Sequence, residues 1–416
     1  MSGSCGNDIR RLMPHTLYLT RNGLLEPLGQ SQVLPYLRGL SGDHRITLIT
    51  HEKPDDWSDS SRMAAARAEC DRYGIRWRPR PFRPRPRFIA PALSLIRMTW
   101  EAWHLVRRGE ARLIHARSYL PAGVAWAVWR LTGVPFIFDM RALWPEEMIT
   151  AGRLKRGSWM HRLLMGLERR CLRDAAAVVS LTEVAVRHLQ QVYPRELQRQ
   201  RVVVIPTCAD LHRFTPAPDR QPGPVVHGCI GSVLSGWFRM DWLAAWIATA
   251  AARDSEALFE IVTRDDAALV RAALDGDGRL GARLQIGGRL PEDMPAAVRG
   301  HDVSVMFYAG GEVSELGRSP TRMAEVLGCG RPVVANAGVG DVARIVREHR
   351  VGVLAQGADP QAMVLAWAEL LNLLEDPELA SRCRKAAEEV FSLEAGTASY
   401  ARLYAGLVKG ERTCAA

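Results

Sequence analysis

Short, uninterrupted apolar runs alternate along this chain with longer stretches in which apolar positions recur every three or four residues. HTLYLT (15–20), HRITLIT (44–50), ARLIHAR (111–117), VPFIFDM (134–140), AAAVVSLT (175–182) and RVVVIPT (201–207) are runs of the first kind. Such brief apolar segments fit buried strands. SQVLPYLRGLSG, residues 118–131 and residues 158–174 carry the helical spacing. Strands that are apolar throughout, not on alternate positions, have both faces covered. With helices between them they predict a parallel α/β sheet.

The pattern then restarts. VVHGCIGSV (225–233) reads as a strand running into a glycine turn, and MDWLAAWIATAAA as a helix. ALFEIVTRD (257–265), RLQIGGRL, VSVMFYA, RPVVAN and VGVLAQ extend the series of strands. PQAMVLAWAELLNLL and PELASRCRKAAEEVF read as late helices. The join, DLHRFTPAPDRQPGPVV, is rich in proline and polar residues and reads as a linker. The expected organisation is a first doubly wound domain at 1–208, a linker at 209–221 and a second doubly wound domain at 222–390. The remainder, 391–416, holds a last helix near 395–410 with no strand after it. In such sheets ligands sit beyond the carboxyl ends of the strands.

Composition narrows the function classes. The 416 residues are 47% hydrophobic and 24% charged, as in a water-soluble globular protein. No apolar run reaches the length of a membrane span, and the N-terminal MSGSCGNDIRRLMPHT has no apolar core, so a cytoplasmic chain is expected. Its eight cysteines are scattered without a C-x-x-C pair, which argues against a zinc site or a disulfide framework. The charge is lopsided: residues 1–204 hold 33 Lys+Arg against 18 Asp+Glu (+15), and the rest 22 against 27 (−5). A basic first half suits an anionic membrane surface or an anionic substrate. Nucleic acid is not expected, because aromatic residues are not interleaved with the basic run as a stacking platform needs. WRPRPFRPRPRF (77–88) has five arginines, four prolines and no acid. It reads as extended, polyproline-like backbone, either a basic arm or a connector. The helix after it, within 93–108, reads as packed on the sheet or as an amphipathic interfacial helix.

One stretch concentrates chemistry: SPTRMAEVLGCGRPVVAN (319–336). Ser319 is expected to cap a helix whose first position is Pro320. A helix start offers unpaired N–H groups and the positive end of a dipole, which suits phosphate. Thr321 adds a hydroxyl, and Arg322 a planar fork for phosphate oxygens. Glu325, three residues on, shares the face of Arg322, roughly 5 Å along the axis. A diphosphate at the start of the helix would place a ribose diol near that carboxylate.

The chain resembles family 4 retaining glycosyltransferases of the GT-B fold over nearly its whole length. The carriers are GLLEPLGQSQVLPYL, FDMRALWPEE (138–147), VVSLTEVAVRHL (178–189), VIPTCADLHRF (204–214), GSVLSGWFRMDWL (231–243) and, most specifically, SPTRMAEVLGCGRPVVANAGVGDVARIV (319–346). The resemblance implies two Rossmann-like domains, α/β and doubly wound, facing across a cleft. The first would hold the acceptor and the second a UDP- or GDP-sugar, with the last helix crossing back onto the first. It implies that Arg322 and Glu325 serve diphosphate and ribose. Ser319, Pro320 and Thr321 flank them, and Gly231, Arg239 and Arg289 also lie on the donor side. Gly29, Gln30 and Ser31 fall in the first strand-to-helix loop, whose glycine would let backbone approach the donor phosphates. Asp139 and Arg141 stand where the acceptor is met, with Glu146 near them. The sequence departs from the family at Gly317, where a second Glu often stands eight residues before Glu325, and in having only Arg239 for the usual basic pair.

The resemblance thus implies a retaining transfer from a nucleoside-diphosphate sugar to a lipid-linked or polysaccharide acceptor in cell-surface glycan synthesis. The chain would dock peripherally on the inner face of the membrane. No cofactor and no metal are expected: DGDG (275–278) follows a helical pattern and reads as a turn. The acceptor proton would pass to the departing phosphate, with no obligatory protein base. Two other readings stay open, a nucleotide-sugar epimerase on the same fold and a non-catalytic scaffold.

Overall fold

The structure is a computed structural model that describes residues 13–83, 85–86, 89–216 and 223–408. It divides into two compact units. One holds the chain up to Ile205 together with the stretch from Leu393 onward, and the other is Pro206–Ser392. Residues 217–221 of the expected linker, and 84, 87 and 88 of the proline-arginine stretch, lie outside the described residues.

The first unit is built on seven strands: β1 (His15–Leu19), β2 (Arg45–Glu52), β3 (Ile75–Pro81), β4 (Leu113–Arg117), β5 (Phe136–Asp139), β6 (Ala177–Ser180) and β7 (Val202–Val204). Their order is β3-β2-β1-β4-β5-β6-β7, and every pairing is parallel. The order reverses between β1 and β4, so the crevice for a ligand lies beyond the carboxyl ends of those two strands. The second unit carries β8 (Val226–Ile230), β9 (Leu258–Val262), β10 (Leu284–Gly287), β11 (Val303–Met306), β12 (Val333–Asn336) and β13 (Gly352–Ala355). Here the order is β10-β9-β8-β11-β12-β13, again parallel, with the reversal between β8 and β11. Both sheets are Rossmann-like. Two apolar clusters fill the second unit, one around Met323, Val326, Val333 and Phe391, the other around Trp246, Phe259, Phe307 and Val334.

Two expectations are corrected. Residues 77–81 are not polyproline backbone; they belong to β3, in register with β2 from Ile46↔Ile75 to Glu52↔Pro81. Proline cannot donate to a ladder, but β3 is the edge strand, so Pro79 and Pro81 need only one partner side. The expected helix over SQVLPYLRGL is two, Pro27–Gln32 and Leu34–Leu40, because Pro35 has no N–H to continue the first. Elsewhere the local chemistry acts as its residues suggest. Ser158 and Thr182 cap their helices by accepting from His161 and Ala185 N–H. The last helix, Leu393–Val408, packs on Leu34–Leu40 and β4. All six described cysteines are free and buried, and no described helix is long and apolar enough to cross a membrane.

Candidate active site

In the second unit the loops after β8 and β11 are fastened to each other. Arg239 N–H donates to Phe307 O (2.9 Å) and Ala309 N–H to Trp237 O (3.1 Å). The turn after β8 starts at Gly231 with φ +129°, a conformation a side chain would strain. It is then pinned by Asp265, whose carboxylate accepts from Val233 N–H (2.6 Å), Leu234 N–H (2.9 Å) and Ser232 Oγ (2.7 Å). Burial opposes ionisation of Asp265, yet these donors hold its carboxyl below the ordinary value. The loops after β11 and β12 are joined by Asn336, which accepts from Tyr308 N–H (2.9 Å) and donates to Tyr308 O (3.0 Å). A rigid rim therefore surrounds the carboxyl ends of β8, β11 and β12.

Into this rim opens the helix Thr321–Gly328. Its N-cap is Pro320, with no side-chain cap. This corrects the expected role of Ser319, whose Oγ instead accepts from Thr207 N–H at 3.1 Å. Ser319 thus stands one residue before the N-cap and fastens a neighbouring loop. The helix start is thereby left without a capping side chain, which keeps its anion-binding character. Arg322 Nη1 donates to Glu325 Oε2. The Arg322 side chain is 36% exposed and that of Glu325 only 9%, so the arginine can swing toward a ligand while the carboxylate stays fixed. Gly330, at φ +71°, turns the chain toward β12.

Sequence reasoning missed Arg318. It forks onto buried Glu315, donating Nη2 to Oε1 at 2.9 Å, and its guanidinium lies 5.2 Å from the Trp237 ring centroid and 5.7 Å from that of Tyr308. Burial pushes the Tyr308 phenol up to about 12, so it remains neutral beside this cation. The signal existed as a Glu-x-x-Arg spacing one turn before the helix. Arg239 and Arg289 are less available than expected. Arg239 forks onto Asp241 (2.6 and 2.9 Å), and Arg289 donates to Glu260 on β9 at 2.5 Å. Asp275 of DGDG spends its carboxylate on Leu280 and Gly281 N–H (2.9 and 3.2 Å), as a turn does.

In the first unit, Gly29 lies buried within Pro27–Gln32. A Cβ there would stand 2.3 Å from Gly23 O and 2.5 Å from Leu24 O. The glycine thus accommodates its own loop, not a phosphate, which corrects the expected reason for it. Gln30 donates to Leu24 O (2.8 Å), and Ser31 is exposed with its hydroxyl on Pro27 O (2.7 Å). Beneath the loop, Glu52 accepts from Leu24 N–H, Leu25 N–H and Thr50 Oγ1 (2.8, 3.2 and 2.5 Å), a support that the sequence did not reveal.

Asp139 is corrected most clearly. At the end of β5 it is fully buried, and Oδ2 accepts from His115 Nε2 (3.2 Å), Arg117 Nη1 (3.3 Å) and Tyr400 OH (3.2 Å). His115 Nδ1 accepts from Tyr404 OH at 2.7 Å, which leaves Nε2–H for Asp139 and makes the ring neutral. Burial lowers the His115 pKa. Against its own burial, Asp139 is brought down to about 2 by the His115 hydrogen bond and the Arg117 charge. A carboxylate so enclosed is an internal counter-ion and does not face an acceptor. Arg141, at φ +61°, donates to Gln32 Oε1, as Arg117 does at 3.1 Å. It has no carboxylate partner among the described residues. Glu146 is held by Arg156, with Nη1 donating to Oε1 at 3.0 Å.

Comparison with known proteins agrees with this division. Residues 30–208 match the Glycosyl transferase 4-like domain, and residues 224–373 match the Glycosyl transferases group 1 family. No curated protein sequence matches the chain. Among solved structures it is similar to sucrose-phosphate synthase from Thermosynechococcus elongatus (18% identity, 96% of this chain and 100% of that one, TM-score 0.67). It is likewise similar to HepE from Anabaena in complex with UDP-glucose (17%, 94% and 99%, TM-score 0.65). A glycosyltransferase from Rickettsia africae ESF-5 is comparable (13%, 96% and 100%, TM-score 0.67).

Proposed function

Because the chain belongs to the family 4 glycosyltransferases of GT-B fold, we propose that it moves a sugar, with retention of anomeric configuration, from a nucleoside-diphosphate sugar to a lipid-linked or polysaccharide acceptor in cell-surface glycan synthesis. The observation that carries the donor reading is the start of Thr321–Gly328, uncapped by any side chain, with Arg322 and the fixed Glu325 carboxylate on one face. The complex of HepE with UDP-glucose supports a UDP-sugar. The ribose hydroxyls donate to Glu325 in place of Arg322. Released from that pair, Arg322 turns to the diphosphate.

The negative charge that grows on the leaving diphosphate is met by the helix start and the Arg322 fork, with no metal and no cofactor. The proton of the acceptor hydroxyl passes to the departing phosphate oxygen. Asp139 is no base here, since it is fully buried and its charge is held by Arg117. Arg141 carries the acceptor-side assignment. Work on a lipid-linked acceptor sets the enzyme in the cytoplasm, at the inner face of the membrane.

The deciding experiment is thermal denaturation with UDP, GDP and their sugars, on the wild type and on Glu325→Ala. A nucleotide at about a hundred times its Kd adds about 2.7 kcal/mol, read as a rise in Tm. The expected result is a rise with one base that the variant lacks. No rise with any nucleotide would overturn the proposal in favour of a non-catalytic chain, the reading that Gly317 and the closed Arg239–Asp241 pair favour. Conversion of the donor with no acceptor present would identify an epimerase.

A further inference from the structure

The helix Ile89–Arg107 is apolar on two opposite faces. One face carries Ala90, Met98, Ala102 and Leu105 and is buried in its own unit. On the other, Ile89, Leu93, Ile96 and Trp100 are 60%, 50%, 63% and 63% exposed. Their spacing of four, three and four residues keeps them within an arc of about 60°, a ridge roughly 16 Å long. Large apolar side chains scattered singly over a surface need no explanation, but four aligned on one helix do. A soluble helix normally turns charge toward water on its outer side.

The surroundings of the ridge are cationic. Between Gly74 and Gly109 the sequence has nine arginines and one acid, Glu101. Glu101 is buried and already held by Arg78 and Arg80 (3.1 and 2.7 Å). Arg83, Arg85, Arg97, Arg107 and Arg108 have no carboxylate partner among the described residues. Arg97 lies beside the ridge and Arg107 continues its line, while Arg83 and Arg85 lie in the segment leading into the helix. An apolar ridge bordered by unpaired arginines matches an anionic bilayer, where the ridge enters the acyl boundary and the guanidiniums meet headgroup phosphates.

We propose that Ile89–Arg107 is the membrane-docking element of this enzyme: it lies in the plane of an anionic lipid surface, with Ile89, Leu93, Ile96 and Trp100 inserted and Arg83, Arg85 and Arg97 on the headgroups. This deepens the membrane-facing part of the proposed function and rests on it for what docking serves. The helix follows β3 in a parallel sheet, so its first turns lie at the carboxyl edge of the strands. That is also the edge at which the Gly23–Gly29 loop and Arg141 lie. Docking through it brings that edge of the first unit to the surface in which a lipid-linked acceptor would reside.

The test is co-sedimentation of the full chain with vesicles of phosphatidylcholine alone and with about one-quarter phosphatidylglycerol. The wild type is expected to partition onto the anionic vesicles and to be released by salt. Ile96→Glu with Trp100→Glu, and separately Arg83→Glu with Arg97→Glu, should each reduce partitioning at least tenfold. All four side chains are exposed or half-exposed, so folding is not at stake, and an unchanged Tm checks it. Trp100→Phe should still bind but lose most of the tryptophan quenching by brominated acyl chains. Equal partitioning of wild type and both double variants would overturn the proposal. So would a concentration-dependent dimer abolished by the Ile96/Trp100 variant, which would give the ridge to a second copy. The nucleotide-induced rise in Tm, measured without vesicles, separates the two claims. Its survival while vesicle binding fails removes the docking element alone, and its loss while vesicle binding persists removes the transferase reading alone.

Discussion

The two units each bring an arginine–carboxylate pair to the carboxyl end of a parallel sheet, and the pairs have opposite characters. In the second unit, Arg322 and Glu325 sit one helical turn apart, with the arginine 36% exposed. In the first, Arg117 and Asp139 are enclosed: their side chains are 6% and 0% exposed, Gln32 also accepts from Arg117, and His115 and Tyr400 donate to Asp139 Oδ2, while its Oδ1 is buried without a partner among the described residues. The same two functional groups serve as a ligand clamp where one partner can be displaced, and as scaffold where neither can. Solvent access and the number of committed partners separate the roles, not residue type.

The comparison is broken most forcefully at Arg117. Arg117→Ala would leave the Asp139 carboxylate buried without its cation, and losing one partner of a buried pair costs about 3–5 kcal/mol. A fall of that size in the urea midpoint is expected. A variant of normal stability with lost turnover would instead make the pair part of the chemistry. Arg322→Ala should behave in the reverse way. The arginine of this i,i+3 pair is partly exposed, so Tm should fall less than for Arg117→Ala. Turnover should fall about 10²–10³-fold, the usual loss when one donor to a developing oxyanion is removed. Steady-state kinetics should show the loss in kcat as well as in KM.

The fold was largely legible because buried parallel strands advertise themselves as continuous apolar runs. β3 was the exception: IRWRPRP alternates arginine with apolar residues and contains two prolines, and only its position at the sheet edge makes it a strand. The helix bearing Arg322 and Glu325 was legible because both residues lie within one turn. Contacts across the sequence were not. The partner of Ser319 is 112 residues away, and Asp139 is bound by Tyr400 from 261 residues away. No local pattern announces that an aspartate at a strand end will be sealed by tyrosines from the last helix. That sealing turned an expected acceptor contact into an internal counter-ion.

Acid titration sharpens the comparison at its smallest scale. The Asp139 carboxyl lies at about 2 in the folded chain against an ordinary 3.8. Its folded value is the lower one, so the unfolded chain binds the proton more readily. Its contribution is therefore complete above about pH 4 and is lost as the pH falls toward 2. The shift corresponds to about 2 kcal/mol. His115, lowered by burial, acts in the same direction from its ordinary range downward, because the folded unit resists the protonation that the unfolded chain accepts. Urea unfolding of the wild type followed from pH 5 to pH 2 should thus lose stability steeply. Asp139→Asn should start about 2 kcal/mol lower and decline less over the same interval. Parallel curves for wild type and Asp139→Asn would mean that Asp139 is not the buried anion on which the first unit closes.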